Sequence, residues 1–275
     1  MENLTQKIKN YYDHFKKSCE CGERCWCERR AVIWAHIVST IPDEYMRFTI
    51  DNFTGEMVLK DGKKERILPE ELVATAKRQV LDYCWRGIAD GEDYGTAEWL
   101  KRSMLDHRFR NNESLVIYGA KWVTDKNDGK GKPFQKPFGR TMIAAIVMKE
   151  VIFLRWLEGH LGDSYEWADY STLVNRLLVQ ADGTKEYDES IHDYREADWL
   201  CVDSISVLER GSDAQRTFRS SVLDRLFCER REAGKPNILV FQDNIEKVED
   251  LAYEFGGEIS RIIKSNKTHR VALIG

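Results

Sequence analysis

Four short apolar segments constrain the fold more than anything else in this chain. "SLVIYG" ends at Gly119, "ADWLCVDSI" contains Asp203, "NILVFQDN" ends at Asn244, and "HRVALIG" follows near the end of the sequence. They are nearly continuous in apolar residues, where a half-exposed strand would alternate. Such strands are buried on both faces, which requires helices above and below the sheet. Helical stretches do separate them: one opens at Thr141, and "DAQRTFRSSVLDRLFCERREAG" is a long helix stopped by Gly234. Apolar strands alternating with helices predict an α/β fold with a central, mainly parallel sheet flanked by helices.

The region before the first of these strands reads differently. Residues 1–17 have Leu4, Ile8, Tyr11, Tyr12 and Phe15 at helical spacing. Pro42 breaks a segment that begins "RRAVIWAHIVST", and "YMRFTIDNF" reads as extended or strand. "TGEMVLKDGKKERILPEE" has hairpin character with Asp61-Gly62 at its turn. "PEELVATAKRQVLDYCWRG" carries acids at its start and a glycine after its end, which predicts a helix from about Pro69 to Gly87. "GTAEWLKRSMLDHR" and "YEWADYSTLVNRLLVQ" are also expected to be helices. The chain divides into a Cys-rich module at 1–40, a linking extension at 41–110 and the α/β domain at 111–275.

The ends of the apolar strands carry the chemistry. Gly119 closes the first strand, and Gly139-Arg140-Thr141 opens the helix that follows. A P-loop holds phosphate with the backbone N–H groups of such a turn, a lysine, and a Ser/Thr hydroxyl that binds Mg2+. Four residues separate its two glycines; here 120–138 intervene. Next, Asp203 stands where an acid would hold the water shell of Mg2+. Asn244 is a polar strand tip, and Arg261 in "GGEISRII" is placed to reach a neighbouring subunit's nucleotide.

In this order the segments resemble the DnaC/IstB-type AAA+ ATPases, the bacterial and phage helicase loaders. "IPDEYMRFTIDNF" is similar to that family's lead-in, "GRTMIAAIVMKEVI" to its phosphate-loop helix, and "ADWLCVDSI" to its Walker B strand. "LDRLFCERREAGKPNILVFQDN" resembles its helix and sensor strand, and "FGGEISRIIKSNKTHRVALIG" its arginine-finger segment and closing strand. The resemblance spans roughly residues 41–275. It implies an AAA+-like P-loop domain binding ATP or ADP with Mg2+ through Gly119, Gly139, Arg140 and Thr141. Asp203, Asn244 and Arg261 take the catalytic positions, and Arg230 or Arg231 matches a further trans-acting arginine. The implied partners are a replicative helicase, single-stranded DNA, and AAA+ neighbours in a homo- or hetero-oligomer.

Two departures lower the expected activity. Arg140 stands at the lysine position, a planar fork in place of a point charge. Ser204 stands where a second acid polarises the attacking water. Hydrolysis is therefore expected to be weak or absent, with nucleotide binding left open. Two rival readings remain: a nucleotide-free scaffold of the same fold, and an IstB-like transposition helper.

Cys19, Cys21, Cys25 and Cys27 fall within nine residues, a thiol set that invites Zn2+. The insertion 124–140 carries five Lys and Arg against two Asp, with Phe134 and Phe138 among them. It reads as a solvated loop or as a single-stranded DNA contact. The net charge of −4 excludes a uniformly basic coat. No apolar run approaches a membrane span, the start is polar, and the expected compartment is the cytoplasm.

Overall fold

The computed structural model describes residues 4–17, 19, 27–58, 62–66, 68, 70–84, 113–119, 139–181, 186–206, 213–244, 257–265 and 268–273. Helices α1 (Leu4–Lys17) and α2 (Cys27–Thr40) come first, and α2 stops two residues before Pro42. Strands β1 (Glu56–Val58) and β2 (Lys64–Arg66) form the expected antiparallel hairpin, followed by α3 (Glu70–Cys84). The α/β part comprises β3 (Leu115–Gly119), α4 (Arg140–Leu157), β4 (Tyr165–Asp169), α5 (Tyr170–Ala181), α6 (Glu186–Glu196) and β5 (Trp199–Ile205). It continues with α7 (Asp213–Glu232), β6 (Asn237–Asn244), α8 (Gly257–Lys264) and β7 (His269–Leu273).

The strands lie in the order β4-β5-β6-β3-β7, and every pairing is parallel. This is an α/β architecture with a parallel sheet and helices on both faces, as expected. Strand alternation divides the core. Leu115, Ile117, Cys201 and Val240 face α2, α3 and α4. Val116, Leu200, Val202 and Leu239 face α5, α6, α7 and α8. α4 is buried without a break from Ile143 to Met148, so it is apolar nearly all round, as a helix between other elements must be.

Two expectations fail locally. "YEWAD" is a strand, not the first turn of a helix. Among the described residues it lies at the sheet edge and pairs with β5 alone, so it lacks the continuous apolar character of its neighbours. Asp169 then accepts bonds from Ser171 Oγ (2.6 Å) and Thr172 N (2.9 Å), which starts α5 at once. "YMRFTIDNF" is no strand either. Residues 43–45 form a 3-10 turn, Asn52 Oδ1 accepts from Thr49 N (2.7 Å), and Asn52 Nδ2 donates to Arg47 O (2.7 Å). Such local side-chain bonds compete with a strand ladder. The expected helix at "GTAEWLKRSMLDHR" lies outside the described residues. Among the described residues, no helix is long and apolar enough to cross a membrane.

Candidate functional site

β3 passes its chain through α4 to β4 on one side, while β6 leads through α8 to β7 on the other. The C-terminal ends of β3 and β6 therefore flank a topological switch point, where open α/β sheets place their ligands. Gly119, Gly139, Arg140, Thr141 and Asp203 all gather here.

Gly139 caps α4 in the left-handed region (φ 86°), a conformation that favours glycine. A Cβ there would lie 3.1 Å from Phe53 Cε2 and 3.3 Å from Leu68 Cδ1. Phe53 and Leu68 thus leave little room for a side chain at Gly139.

Arg140 does not point outward as a P-loop lysine would. It is 1% exposed, and its guanidinium donates to Phe241 O (2.8 Å) and Gly119 O (2.9 Å). One side chain ties the tip of β3 to β6. The fork geometry that makes arginine a poor lysine substitute suits two carbonyls well.

Thr141 and Asp203 do meet, with Thr141 Oγ1 3.1 Å from Asp203 Oδ1. The same carboxylate oxygen accepts from Ser204 N (2.8 Å). Ser204 has φ 65°, the only positive φ outside glycine among the described residues. β5 loses register with β6 between Val202 and Ile205, which turns the Asp203–Ser204 peptide toward the site. Burial pushes the Asp203 carboxyl up to about 6. Thr141, the Ser204 amide and Gln242 pull it down, and Asp169 on the neighbouring strand pushes it further up.

Sequence reasoning missed two members. Gln242 Nε2 lies 3.5 Å from Thr141 Oγ1 and 3.4 Å from Ser204 Oγ. Gln242, two residues before Asn244 on the same strand, is the β6 side chain seen at this cluster. The backbone of Asn244 pairs with Gly119 at the strand tips. The second is Tyr45; burial, then Asp203 and Glu44, raise the pKa of its hydroxyl, and Thr141 lowers it. Its ring stacks on Trp167 at 6.4 Å and lies 6.3 Å from Phe48. Lys149 fixes this lead-in by donating to the carbonyls of Tyr45 (3.2 Å), Met46 (3.1 Å) and Phe48.

The arginines assigned to trans-acting roles separate. Arg230 is fully buried at the opposite end of the sheet. It donates to Asn237 Oδ1 (2.6 Å) and to the carbonyls of Tyr194 (2.9 Å), Arg195 (3.3 Å), Ala197 (2.7 Å) and Pro236 (2.8 Å). A side chain held this way cannot reach another subunit, so that role is corrected to an internal one. Arg231 Nε (2.9 Å) and Arg261 Nη1 (2.5 Å) flank the buried carboxylate of Glu258. Arg261 stays largely exposed on α8.

Thr141 and Asp203 present hard oxygen atoms suited to Mg2+. Arg140 directs one N–H of each terminal nitrogen to a backbone carbonyl, Phe241 O and Gly119 O. Cys27 is buried at the start of α2 and Cys19 is half-buried, while Cys21 and Cys25 lie outside the described residues. Among the described residues, no group of three His, Cys, Asp or Glu side chains could hold a metal. The insertion up to residue 138 also lies outside them.

No protein-family model matches the chain, and no curated protein matches it. Among solved structures it is similar to the DnaC helicase loader, with TM-score 0.49 and 14% identity over 84% of this chain and 99% of that one. It is similar to DnaI with TM-score 0.45 and 14% identity, covering 84% and 94%. Domain III of the Thermotoga maritima replication initiation protein DnaA gives TM-score 0.40 and 15% identity, covering 69% and 67%.

Proposed function

We propose that this chain is a DNA-replication accessory protein of the helicase-loader type that acts by binding, without repeated ATP turnover. It binds a replicative helicase and single-stranded DNA in the cytoplasm and assembles with AAA+ neighbours. The ordered motifs of the sequence support the loader reading. One observation carries the absence of turnover: Arg140 bonds the Gly119 and Phe241 carbonyls, and Ser204 replaces the second acid.

Thr141 and Asp203 would hold Mg2+ of a bound Mg2+-nucleotide, and such an ion would supply charge neutralisation at the phosphates. Gln242 orients Thr141 and Ser204. Ser204 cannot take a proton from an attacking water as a carboxylate would, and the Arg140 charge is directed to the Gly119 and Phe241 carbonyls. In a partner assay, the helicase co-purifies with this chain and is seated on DNA at an ATPase rate no higher than that of the helicase alone. Helicase loading that proceeds equally well without the chain sinks the reading.

A second reading, a nucleotide-free scaffold, is favoured by Phe53 and Leu68 packed against Gly139. Calorimetry with millimolar ATP and ADP separates the two: heat that disappears in Asp203→Ala supports a nucleotide site, and no heat supports the scaffold. We assign zinc to Cys19, Cys21, Cys25 and Cys27 on thiol spacing alone. Elemental analysis near zero zinc per reduced chain removes that assignment.

A further inference from the structure

Two residues of α7 reach one residue of α8. Asp224 and Arg231 stand seven positions apart on α7, two turns along one face. Asp224 Oδ1 accepts from Glu258 N (2.9 Å), and Arg231 Nε donates to Glu258 Oε2 (2.9 Å). Gly257 permits this approach: its φ is 44°, and a Cβ there would collide with the Asp224 carboxylate. Backbone and side chain of Glu258 are therefore fixed together, and the side chain is only 7% exposed. Ile259, Ile262 and Ile263 anchor the same helix in the core.

The other carboxylate oxygen, Oε1, accepts from Arg261 Nη1 (2.5 Å), one turn along α8. Exposed arginine–carboxylate pairs are ordinarily loose, because two long side chains must be ordered together. Here the acid is already held, so the arginine alone has to be ordered. Arg261 nevertheless keeps 70% of its side chain open to solvent. Its Nε–H and Nη2 donors have no partner among the described residues. These two nitrogens form one edge of the guanidinium fork, which can take both oxygens of a carboxylate or phosphate. Asp224 and Glu232, which lies 4.0 Å from Arg231 Nη2, balance the local charge. What this surface offers an anion is a fixed fork and not a net positive field.

We propose that Glu258 is a positioning residue, which holds Arg261 outward as a fixed receptor for an oxyanion on a neighbouring copy of this chain. That oxyanion is a phosphate of the copy's nucleotide or one of its carboxylates. The proposal rests on the assembly part of the functional reading above and adds the residue that readies Arg261 for it.

Sedimentation velocity of the intact chain, alone, with Mg2+-ADP and with Mg2+-ATP, measures self-association. Arg261→Lys keeps the charge and loses the fork; Glu258→Gln loses the carboxylate that holds it. Each is expected to weaken association about tenfold. Glu258→Asp keeps the charge but is one methylene too short, and should weaken it as much. Association that needs nucleotide identifies the oxyanion as phosphate; association without nucleotide identifies it as a carboxylate. Association as tight as wild type in Glu258→Gln or Glu258→Asp overturns the proposal, and so does tighter association, which would make Glu258 a mask over Arg261. Should the Glu258 variants melt early, the exposed Arg261→Lys decides: unchanged association in it overturns the proposal. Nitrogen relaxation of the Arg261 Nε–H needs no neighbour. It should report an ordered side chain in the wild type and a mobile one in Glu258→Gln, and equal mobility in both overturns the proposal. An Arg261 ordered by Glu258 in a wild type that stays monomeric in every condition refutes the assembly reading alone; association of equal strength in all variants refutes the positioning alone.

Discussion

Two buried arginines sit at opposite ends of the same sheet. Arg230 lies where β5 and β6 begin and is bonded by Asn237 and four carbonyls. Arg140 lies where β3 and β6 end and donates to two carbonyls. Sequence position suggests different jobs, one in trans and one on phosphate. The geometry gives both the same job, a clamp across strands. Burial alone costs a guanidinium so much that its environment must supply acceptors; at Arg230 it lowers the pKa to about 10, against opposing pulls from Asp198 and Glu196. What differs is the surroundings. Arg230 is enclosed by elements of fixed structure, while Arg140 adjoins Thr141, Asp203 and Gln242, a set still arranged as a site.

The comparison breaks first at Arg230. Arg230→Ala leaves several buried acceptors unpaired and should cost about 4 kcal/mol in urea unfolding. A cost under about 1 kcal/mol would mean the acceptors find water and the clamp is dispensable. Arg140→Ala, which removes the bonds to the Gly119 and Phe241 carbonyls, should cost about 3 kcal/mol. If stability is instead unchanged and ATP affinity falls, Arg140 is a ligand residue and the pair are not alike.

The third test is electrostatic. Burial raises the Asp203 carboxyl in the folded chain to about 6, above its ordinary 3.8. Its stabilising contribution is therefore complete below about pH 4 and lost as pH rises through 6. The wild type should lose about 2 kcal/mol relative to Asp203→Asn between pH 4 and 7. Parallel curves for the two proteins would show that a nearby cation, Arg140 foremost, neutralises Asp203 after all. Gln242→Ala, which removes two long bonds, should shift stability by less than about 1 kcal/mol. A larger loss would make Gln242 part of the clamp.

The strands could be read from the residues because burial on both faces writes a continuous apolar run. "LVIYG", "LCVDSI" and "ILVFQDN" are such runs. Edge strand β4 could not, because "YEWAD" has one neighbour and keeps polar residues. Arg140 was placed correctly in the chain but not in direction, since the next atom a guanidinium bonds depends on the turn of β6 at Phe241. Tyr45 was visible as part of "IPDEY", yet its placement depends on Lys149 holding three carbonyls 101 to 104 positions away. Gln242 was overlooked beside the more conspicuous Asn244.

The central place of β3 has a consequence for synthesis. It pairs only with β6 and β7, and β6 leaves the ribosome roughly 120 residues after it. At about 5–20 residues per second, "LVIYG" waits at least roughly six seconds with both edges open. α4 is the element that can shelter it meanwhile, because its apolar surface follows β3 directly in the chain. A nascent chain stalled after residue 200 should therefore expose β3 to chaperones, and one stalled beyond residue 273 should not.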